Sequence, residues 1–122
     1  MGEQKRILHV EDDGLIQAIV RAALQTKGFE VVCASSGREA LEVVSNYSPD
    51  LILLDVVMPD MDGLETLERL KGKIDIKRTP VIFMTAGANQ KEMEHYRSLG
   101  ARGIIIKPFN PTRLHEEIGK FL

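Results

Sequence analysis

Hydrophobic positions along the chain follow two alternating periods. Short runs of consecutive apolar residues predict buried strands, whereas apolar residues three or four positions apart predict helices with one buried face. Runs of the first kind predict five strands, at about residues 7–10, 30–34, 51–54, 81–84 and 104–106. A helical stripe follows each strand, and the stripes are Leu15, Ile16, Ile19, Val20, Ala23 and Leu24; Ala40, Leu41 and Val44; Leu64, Leu67 and Leu70; Met93, Tyr96 and Leu99; and Leu114, Ile118 and Phe121.

Residues that favour helix ends mark the boundaries of these segments. Ser36, Asp62 and Asn110 precede predicted helices, where their side-chain oxygens can accept hydrogen bonds from free N–H groups. Gly28 and Gly100 follow helices, where glycine tolerates a left-handed backbone. Five strands alternating with five helices predict an α/β fold, in which a parallel sheet is covered by helices on both faces in a doubly wound, three-layer sandwich.

The composition is that of one soluble globular domain, which we expect to span residues 1–122. A net charge of −2 and an aromatic content of 5% without tryptophan give no basis for direct nucleic-acid binding. The apolar runs are too short to cross a bilayer, so we expect no membrane insertion. Cys33 is the sole cysteine, which excludes an internal disulfide and fits the reducing cytoplasm.

Polar residues follow four of the five predicted strands. In a doubly wound sheet, ligands bind beyond the carboxyl ends of the strands, which is where these residues would meet. They are Glu11, Asp12 and Asp13 after the first strand, Asp55 after the third, Thr85 after the fourth and Lys107 after the fifth. The sequence therefore predicts several carboxylates, one hydroxyl and one ammonium group at a single edge of the sheet.

Carboxylates this close repel one another unless a cation or proton lies among them. Oxygen ligands suit a hard cation, and Mg²⁺ typically takes one or two carboxylates together with phosphate oxygens. Thr85 and Lys107 would then bind an anion, because a metal and a lysine together neutralise charge in phosphoryl transfer. A carboxylate can itself be the nucleophile in such a transfer, and Asp55, at the centre of the sheet, is the best candidate.

Simpler explanations exist for each of these residues alone. Acidic residues favour helix N-termini, so the acids at 11–13 could cap the first helix, and we expect Asp13 and Asp62 to be only caps. Thr85 and Lys107 could be ordinary residues at strand ends. Chance explains the set poorly, because every group that phosphoryl transfer needs is predicted at one edge.

The remaining reactive side chains have structural interpretations. His9 lies within the first strand and is expected to be a buried, hydrogen-bonded imidazole rather than a ligand. His95 and His115 are expected at the surface of helices. Cys33 is expected to be a small core residue, and Phe109 to contribute packing.

Four motifs resemble the receiver domain of bacterial two-component response regulators, over about residues 5–122. They are ILHVEDD at 7–13, LILLDVVMPDMDGLE at 51–65, PVIFMTA at 80–86 and GIIIKPF at 103–109. Each motif is weakly or moderately specific alone, but all four in this order at strand ends are highly specific. The resemblance implies a flavodoxin-like sheet with strand order 2-1-3-4-5.

The resemblance also implies a role for each residue of the site. Asp55 resembles the phosphoacceptor. Asp12 resembles a direct Mg²⁺ ligand, Glu11 an acid that holds the metal through water, and the backbone carbonyl of Val57 a third protein ligand.

The two remaining site residues resemble the groups that contact the phosphoryl group. Thr85 resembles a hydroxyl that moves to hydrogen-bond it. Lys107 resembles the cation that pairs first with Asp55 and then with a phosphoryl oxygen. Lys107–Pro108 resembles the family's cis peptide.

By this resemblance, the chain is a signalling switch that catalyses only its own phosphorylation and dephosphorylation. The implied donor is a phosphohistidine on a sensor histidine kinase or a histidine phosphotransfer protein. The implied output is binding of an unknown protein to the surface formed by the fourth helix, fifth strand and fifth helix. Because the chain ends with that helix, we expect output by binding rather than by an attached DNA-binding or enzymatic domain.

Two other functions are open to this pattern of residues. A phosphohydrolase that resembles the haloacid dehalogenase class would carry a second aspartate at the position of Val57. An inert pseudo-receiver would lack at least one site group, and none is missing. The sequence departs from the receiver pattern at Ile104, where many members carry an aromatic residue. Val57 and Gly87 carry no polar side chain to orient water, which predicts slow loss of the phosphoryl group.

Overall fold

A computed structural model describes residues 4–122 and shows strands and helices in strict alternation. The strands are β1 (Arg6–Val10), β2 (Glu30–Ala34), β3 (Leu51–Asp55), β4 (Val81–Thr85) and β5 (Gly103–Ile106). The helices are α1 (Gly14–Gln25), α2 (Gly37–Val43), α3 (Gly63–Leu70), α4 (Gln90–Leu99) and α5 (Leu114–Gly119), with a 3₁₀ turn at Pro111–Arg113. None of the helices within residues 4–122 has both the length and the apolar character to cross a bilayer.

All five strands are parallel and lie in the order β2-β1-β3-β4-β5, which confirms the predicted sheet and its order. The strand β3 is central, and each of its five residues is buried. Successive strand residues point to opposite faces, so the core has two halves. Leu54 and Phe83 pack with α2, α3 and α4 on one face. Leu53 and Ile82 pack with α1 and α5 on the other face.

Polar side chains cap four of the helices. Asp13, Ser36 and Asp62 accept hydrogen bonds from backbone N–H groups in the first turns of α1, α2 and α3, as predicted. Asn89 caps α4 and forms a capping box with Glu92, which the sequence analysis did not identify. At the other end of α4, Gly100 has φ of +118°, a left-handed conformation that glycine adopts without strain.

The start of the last helix differs from the prediction. Asn110 accepts a hydrogen bond from the backbone N–H of Thr112, but the turn that it caps is 3₁₀, and α5 begins only at Leu114. His115 is partly exposed, with Nδ1 inaccessible, so the predicted surface position holds only for part of its side chain, whereas His95 is exposed as predicted.

The stripe on α1 is only partly buried. Val20 and Leu24 are fully buried against the sheet, but Leu15 is 71% exposed and Ile19 is 38% exposed. These two residues leave an apolar side of α1 open to solvent beside the carboxyl edge of the sheet.

Two other packing predictions are confirmed, since half-buried Cys33 and Phe109 contact the core half that includes α1 and α5.

His9 is fully buried in β1, between Cys33 of β2 and Leu53 of β3. The predicted hydrogen bond is wrong: within the described residues, neither ring nitrogen has a hydrogen-bond partner. Its register partners across the sheet, Cys33 and Leu53, carry no strong hydrogen-bonding side chain. Burial, followed by the charges of Lys107 and Arg21, lowers the pKa of His9 from 6.5 to about 4.

This buried imidazole predicts loss of stability in mild acid. Unfolding exposes His9, so the unfolded chain binds a proton below about pH 6.5, whereas the folded chain stays neutral until about pH 4. Between about pH 7 and pH 5, His9 is expected to reduce the free energy of unfolding by about 2 kcal/mol. Urea unfolding of wild type and His9→Leu at both pH values measures this loss. The exposed His95→Gln is the control, and an equal pH dependence in wild type and His9→Leu would contradict the prediction.

Candidate phosphoryl and metal site

The predicted polar residues lie at the carboxyl edge of the sheet. Asp55 and Thr85 are the last residues of β3 and β4. Glu11 follows β1 directly, and Lys107 follows β5 directly. The strands are parallel, so their carboxyl ends share one edge, and the fold brings together residues that are up to 96 positions apart.

Three carboxylates form a compact cluster at this edge. One oxygen from each of Glu11, Asp12 and Asp55 lies within 4.8 Å of the others. Glu11 and Asp55 are buried, whereas Asp12 is exposed. Asp13 instead accepts hydrogen bonds from the N–H groups of Leu15 and, more weakly, Ile16, so it caps α1. An oxygen-only group of three acids with one open side fits a hard divalent cation.

Lys107 neutralises the buried part of this cluster. Its Nζ lies 3.0 Å from Oε1 of Glu11 and 3.2 Å from Oδ1 of Asp55. The contact with Asp55 was expected, but the contact with Glu11 was not. The Lys107–Pro108 peptide is cis, as the resemblance implied. One ammonium group thus bridges two buried carboxylates.

The protonation of Glu11 and Lys107 reflects this shared burial. Burial raises the pKa of Glu11, and the charge of Asp55 adds to this, while the hydrogen bond from Lys107 opposes it. For Lys107, burial lowers the pKa, but hydrogen bonds and charges from Glu11 and Asp55 more than offset it, so the pKa is raised. The raised pKa keeps Lys107 in its ammonium form. A further cation would stabilise the charged form of the neighbouring Glu11.

Thr85 and Val57 occupy different surroundings at the same edge. The Thr85 hydroxyl donates to the carbonyl of Gly87 at 3.1 Å, so it engages its own loop rather than the acid cluster. Val57, two residues after Asp55, is 73% exposed. The structure brings Glu11, Asp12, Asp55 and Lys107 into contact range, whereas Thr85 would have to leave Gly87 to reach a group on Asp55.

Gly63 fixes the backbone that carries Asp55, a role that the sequence analysis missed. The first residue of α3 passes so close to β3 that an added Cβ would lie 2.4 Å from the Asp55 carbonyl oxygen and 2.7 Å from Cα of Val56. The Gly63 N–H also donates to the Val56 carbonyl at 2.8 Å. Helix α3 thus holds the end of β3 in place.

Comparisons with known proteins agree with this geometry. The family model described as the response regulator receiver domain matches residues 7–119. The transcriptional regulatory protein CrdR of Helicobacter pylori is 40% identical over 118 residues, which is 97% of this chain, although the chain spans only 55% of CrdR. The polar-differentiation response regulator DivK of Brucella ovis is 35% identical and is matched over 96% of its length.

Solved structures show the same fold. The chemotaxis protein CheY4 of Vibrio cholerae superposes with a TM-score of 0.92 at 33% identity, covering 98% of this chain and 99% of that chain. The response regulator TrrA of Thermotoga maritima, solved in complex with Mg²⁺-BeF, gives 0.81 at 34% identity, covering 98% of this chain and all of that chain. Family, fold and acid cluster agree, and the chain belongs to the response regulator receiver domains of two-component systems.

Proposed function

We propose that residues 1–122 form one receiver domain in which Asp55 accepts a phosphoryl group and thereby switches a binding surface. The observation that carries the proposal is the position of Asp55. It is buried at the carboxyl edge, in the acid cluster with Glu11 and Asp12 and 3.2 Å from Lys107. An aspartate held between a metal-ligand group and a fixed cation is suited to nucleophilic attack on a phosphoryl group.

The reaction forms one bond and breaks another. A carboxylate oxygen of Asp55 attacks the phosphorus of a phosphohistidine, so a P–O bond forms and the P–N bond breaks. The electron pair of the P–N bond stays on the imidazole nitrogen of the donor. The product is an aspartyl phosphate, and the domain makes no other product.

Mg²⁺ is the proposed cofactor, and its binding would neutralise negative charge on the phosphoryl oxygens. Asp12 and Asp55 would bind it directly, Glu11 through water, and Val57 through its backbone carbonyl. Three carboxylates with ligand atoms within 4.8 Å supply the oxygen donors that this ion prefers. TrrA, which is similar to this chain, was solved with Mg²⁺ and a beryllium fluoride group.

Lys107 and Thr85 are proposed to bind the phosphoryl group once it is on Asp55. Lys107 already contacts Asp55, so a small movement of its Nζ would pair it with a phosphoryl oxygen. Thr85 would exchange its hydrogen bond to Gly87 for one to the phosphoryl group. Neither residue donates the phosphoryl group, and both stabilise its charge.

Mass spectrometry of the intact protein tests this function. Wild type incubated with acetyl phosphate and Mg²⁺ is expected to gain the mass of one phosphoryl group. Asp55→Asn, or wild type with EDTA, is expected to gain none, because the nucleophile or the cation is missing. Equal labelling of wild type and Asp55→Asn would overturn the assignment of Asp55.

The proposed donor is a sensor histidine kinase or a histidine phosphotransfer protein in the cytoplasm. A protein donor must dock beside Asp55. Two exposed apolar residues lie near the acids in the sequence, Leu15 in the first turn of α1 after Asp12 and Val57 two residues after Asp55. We expect Leu15→Asp to slow transfer from a protein donor by about tenfold, because it removes apolar contact area. Labelling by acetyl phosphate is the control, and it is expected to be unchanged.

The proposed output surface consists of α4, β5 and α5. Ile104 of β5 is half-buried, pairs with Phe83 of β4 and packs against the core half that includes Tyr96 of α4, while Ile106 is 44% exposed. Movement of Thr85 would shift this packing without rotation of an aromatic ring at position 104. Amide chemical shifts with and without Mg²⁺-beryllium fluoride are expected to change on this surface, and an unknown output protein would read that change.

Slow loss of the phosphoryl group is expected because the exposed side chain of Val57, two residues after Asp55, is apolar. A valine side chain cannot orient an attacking water, whereas an asparagine amide can. Val57→Asn is expected to accelerate dephosphorylation by about tenfold, followed as the decay of the phosphorylated mass after acetyl phosphate is removed. Val57→Leu, which is equally apolar, serves as the control. Identical decay of all three proteins would contradict the expectation.

A further inference from the structure

Gln17 of α1 links two loops beside the acid cluster, and within residues 4–122 its side chain donates hydrogen bonds to a backbone carbonyl and a serine hydroxyl rather than to a carboxylate. Its Nε2 donates one hydrogen bond to the backbone carbonyl of Glu11 at 2.5 Å and one to Oγ of Ser35 at 3.2 Å. Both amide hydrogens are therefore used. One bond goes to the loop after β1, and the other goes to the loop after β2.

The bond to Glu11 fixes the peptide that joins the two acids of the first loop. The carbonyl of Glu11 and the N–H of Asp12 belong to one planar unit, so holding the carbonyl also sets the direction of the Asp12 Cα. On its other side, the N–H of Glu11 donates to the carbonyl of Ala34 at 2.9 Å. The backbone of Glu11 is thus held by β2 on one side and by Gln17 on the other.

Helix α1 makes this arrangement rigid. Asp13 caps the helix through the N–H groups of Leu15 and Ile16, and the N–H of Gln17 donates to the Asp13 carbonyl at 3.0 Å. The half-buried side chain of Gln17 then reaches back over the first turn to Glu11. Hydrogen bonds from Gln17 therefore tie the loop that carries Glu11 and Asp12 to the first turn of α1.

We propose that Gln17 is a positioning residue for the metal site, and that its amide holds the Glu11–Asp12 peptide in the orientation that directs both carboxylates to one cation. The cation is taken to be Mg²⁺, and in this respect the inference rests on the proposed function. Metal sites depend on groups that orient the ligands, and loss of such a group weakens metal binding.

Titration with Mg²⁺ alone, followed by amide chemical shifts, measures the effect. Gln17→Met keeps the length of the side chain but removes both donors, and is expected to raise the Kd for Mg²⁺ by about three- to tenfold, the equivalent of one lost hydrogen bond. The amide signal of Asp12 is expected to shift even without metal, because its peptide is released.

Two control variants separate positioning from general stability. Gln25→Met makes the same change at an exposed position of the same helix, and is expected to leave the Kd unchanged. Ser35→Ala removes only the second bond of Gln17, and is expected to change the Kd by less than about twofold. Phosphorylation by acetyl phosphate adds a further readout: Gln17→Met is expected to need more Mg²⁺ for half-maximal labelling, while the rate at saturating Mg²⁺ matches wild type.

The outcomes are distinguishable from those of the proposed function. An unchanged Kd in Gln17→Met, with wild type binding Mg²⁺ normally, would overturn the role of Gln17 and leave the phosphoacceptor standing. A lower rate at saturating Mg²⁺ with an unchanged Kd would also overturn it, because the defect would then lie outside metal binding. Labelling of Asp55→Asn would overturn the phosphoacceptor alone, and a wild type that binds no Mg²⁺ would overturn the role of Gln17 together with the proposed cofactor.

Discussion

Gly63→Ala is expected to reduce the free energy of unfolding by about 3 kcal/mol and to slow phosphorylation of Asp55. The added methyl group would lie 2.4 Å from the Asp55 carbonyl oxygen and 2.7 Å from Cα of Val56, and both atoms belong to backbone that cannot rotate away. Either α3 moves away from β3 or the end of β3 is displaced. Displacement would move the nucleophile relative to Glu11 and Asp12, and such misplacement is costly for reaction rate.

Gly14→Ala is a matched control for this substitution. Gly14 and Gly63 are both the first residues of helices capped by an aspartate, but a Cβ at Gly14 would meet nothing within 4 Å. Alanine is a better helix former than glycine, so Gly14→Ala is expected to be neutral or slightly stabilising. Urea unfolding and acetyl phosphate labelling measure both variants. Equal stability of the two variants would show that the close approach of α3 to β3 does not constrain the site.

Lys107→Met is expected to cost about 3 kcal/mol of stability at neutral pH in the absence of metal. The ammonium group lies within 3.2 Å of two buried carboxylates, and its removal leaves both without their counter-charge. The loss is expected to shrink on acidification, because Glu11, whose pKa burial already raises, takes up a proton. Mg²⁺ is expected to stabilise the variant more than wild type, because a divalent cation replaces the missing charge.

Lys71→Met removes a comparable contact at the surface. Lys71 lies 2.8 Å from Glu68, but its side chain is 33% exposed and that of Glu68 56% exposed, and pairs open to solvent contribute little. Its loss is expected to cost less than about 0.5 kcal/mol and to be independent of Mg²⁺. Urea midpoints of the three proteins, with EDTA and with Mg²⁺, make the comparison. If Lys107→Met were as stable as Lys71→Met in EDTA, the bridging ion pair would not be a significant source of stability.

Much of the fold could be predicted from local sequence patterns. The alternation of buried runs and helical stripes requires only the periods of strands and helices, and caps such as Asp13 and Ser36 act within three residues of themselves. The last helix was predicted less well, because a cap residue before proline does not show whether the next turn is 3₁₀ or α.

The composition of the carboxyl edge could also be predicted, because parallel strands deliver the residues that follow them to one place. The contacts within that edge could not. Lys107 reaches Glu11 across 96 positions, and no local pattern states which of several acids a lysine will meet. Gln17 is part of no recognisable sequence motif, because its amide binds a backbone carbonyl and so requires no particular residue type as its partner. His9 was predicted to be buried, but its lack of a partner depends on the neighbouring strands.

The most direct test of Asp55 as the phosphoacceptor is chemical trapping followed by peptide mapping. Borohydride reduces an acyl phosphate to an alcohol, so a phosphorylated aspartate becomes homoserine. Wild type labelled with acetyl phosphate and Mg²⁺ is expected to yield homoserine at position 55, with Glu11, Asp12 and Asp13 unmodified. Reduction at any of those three acids, with Asp55 intact, would contradict the assignment of Asp55 as the nucleophile.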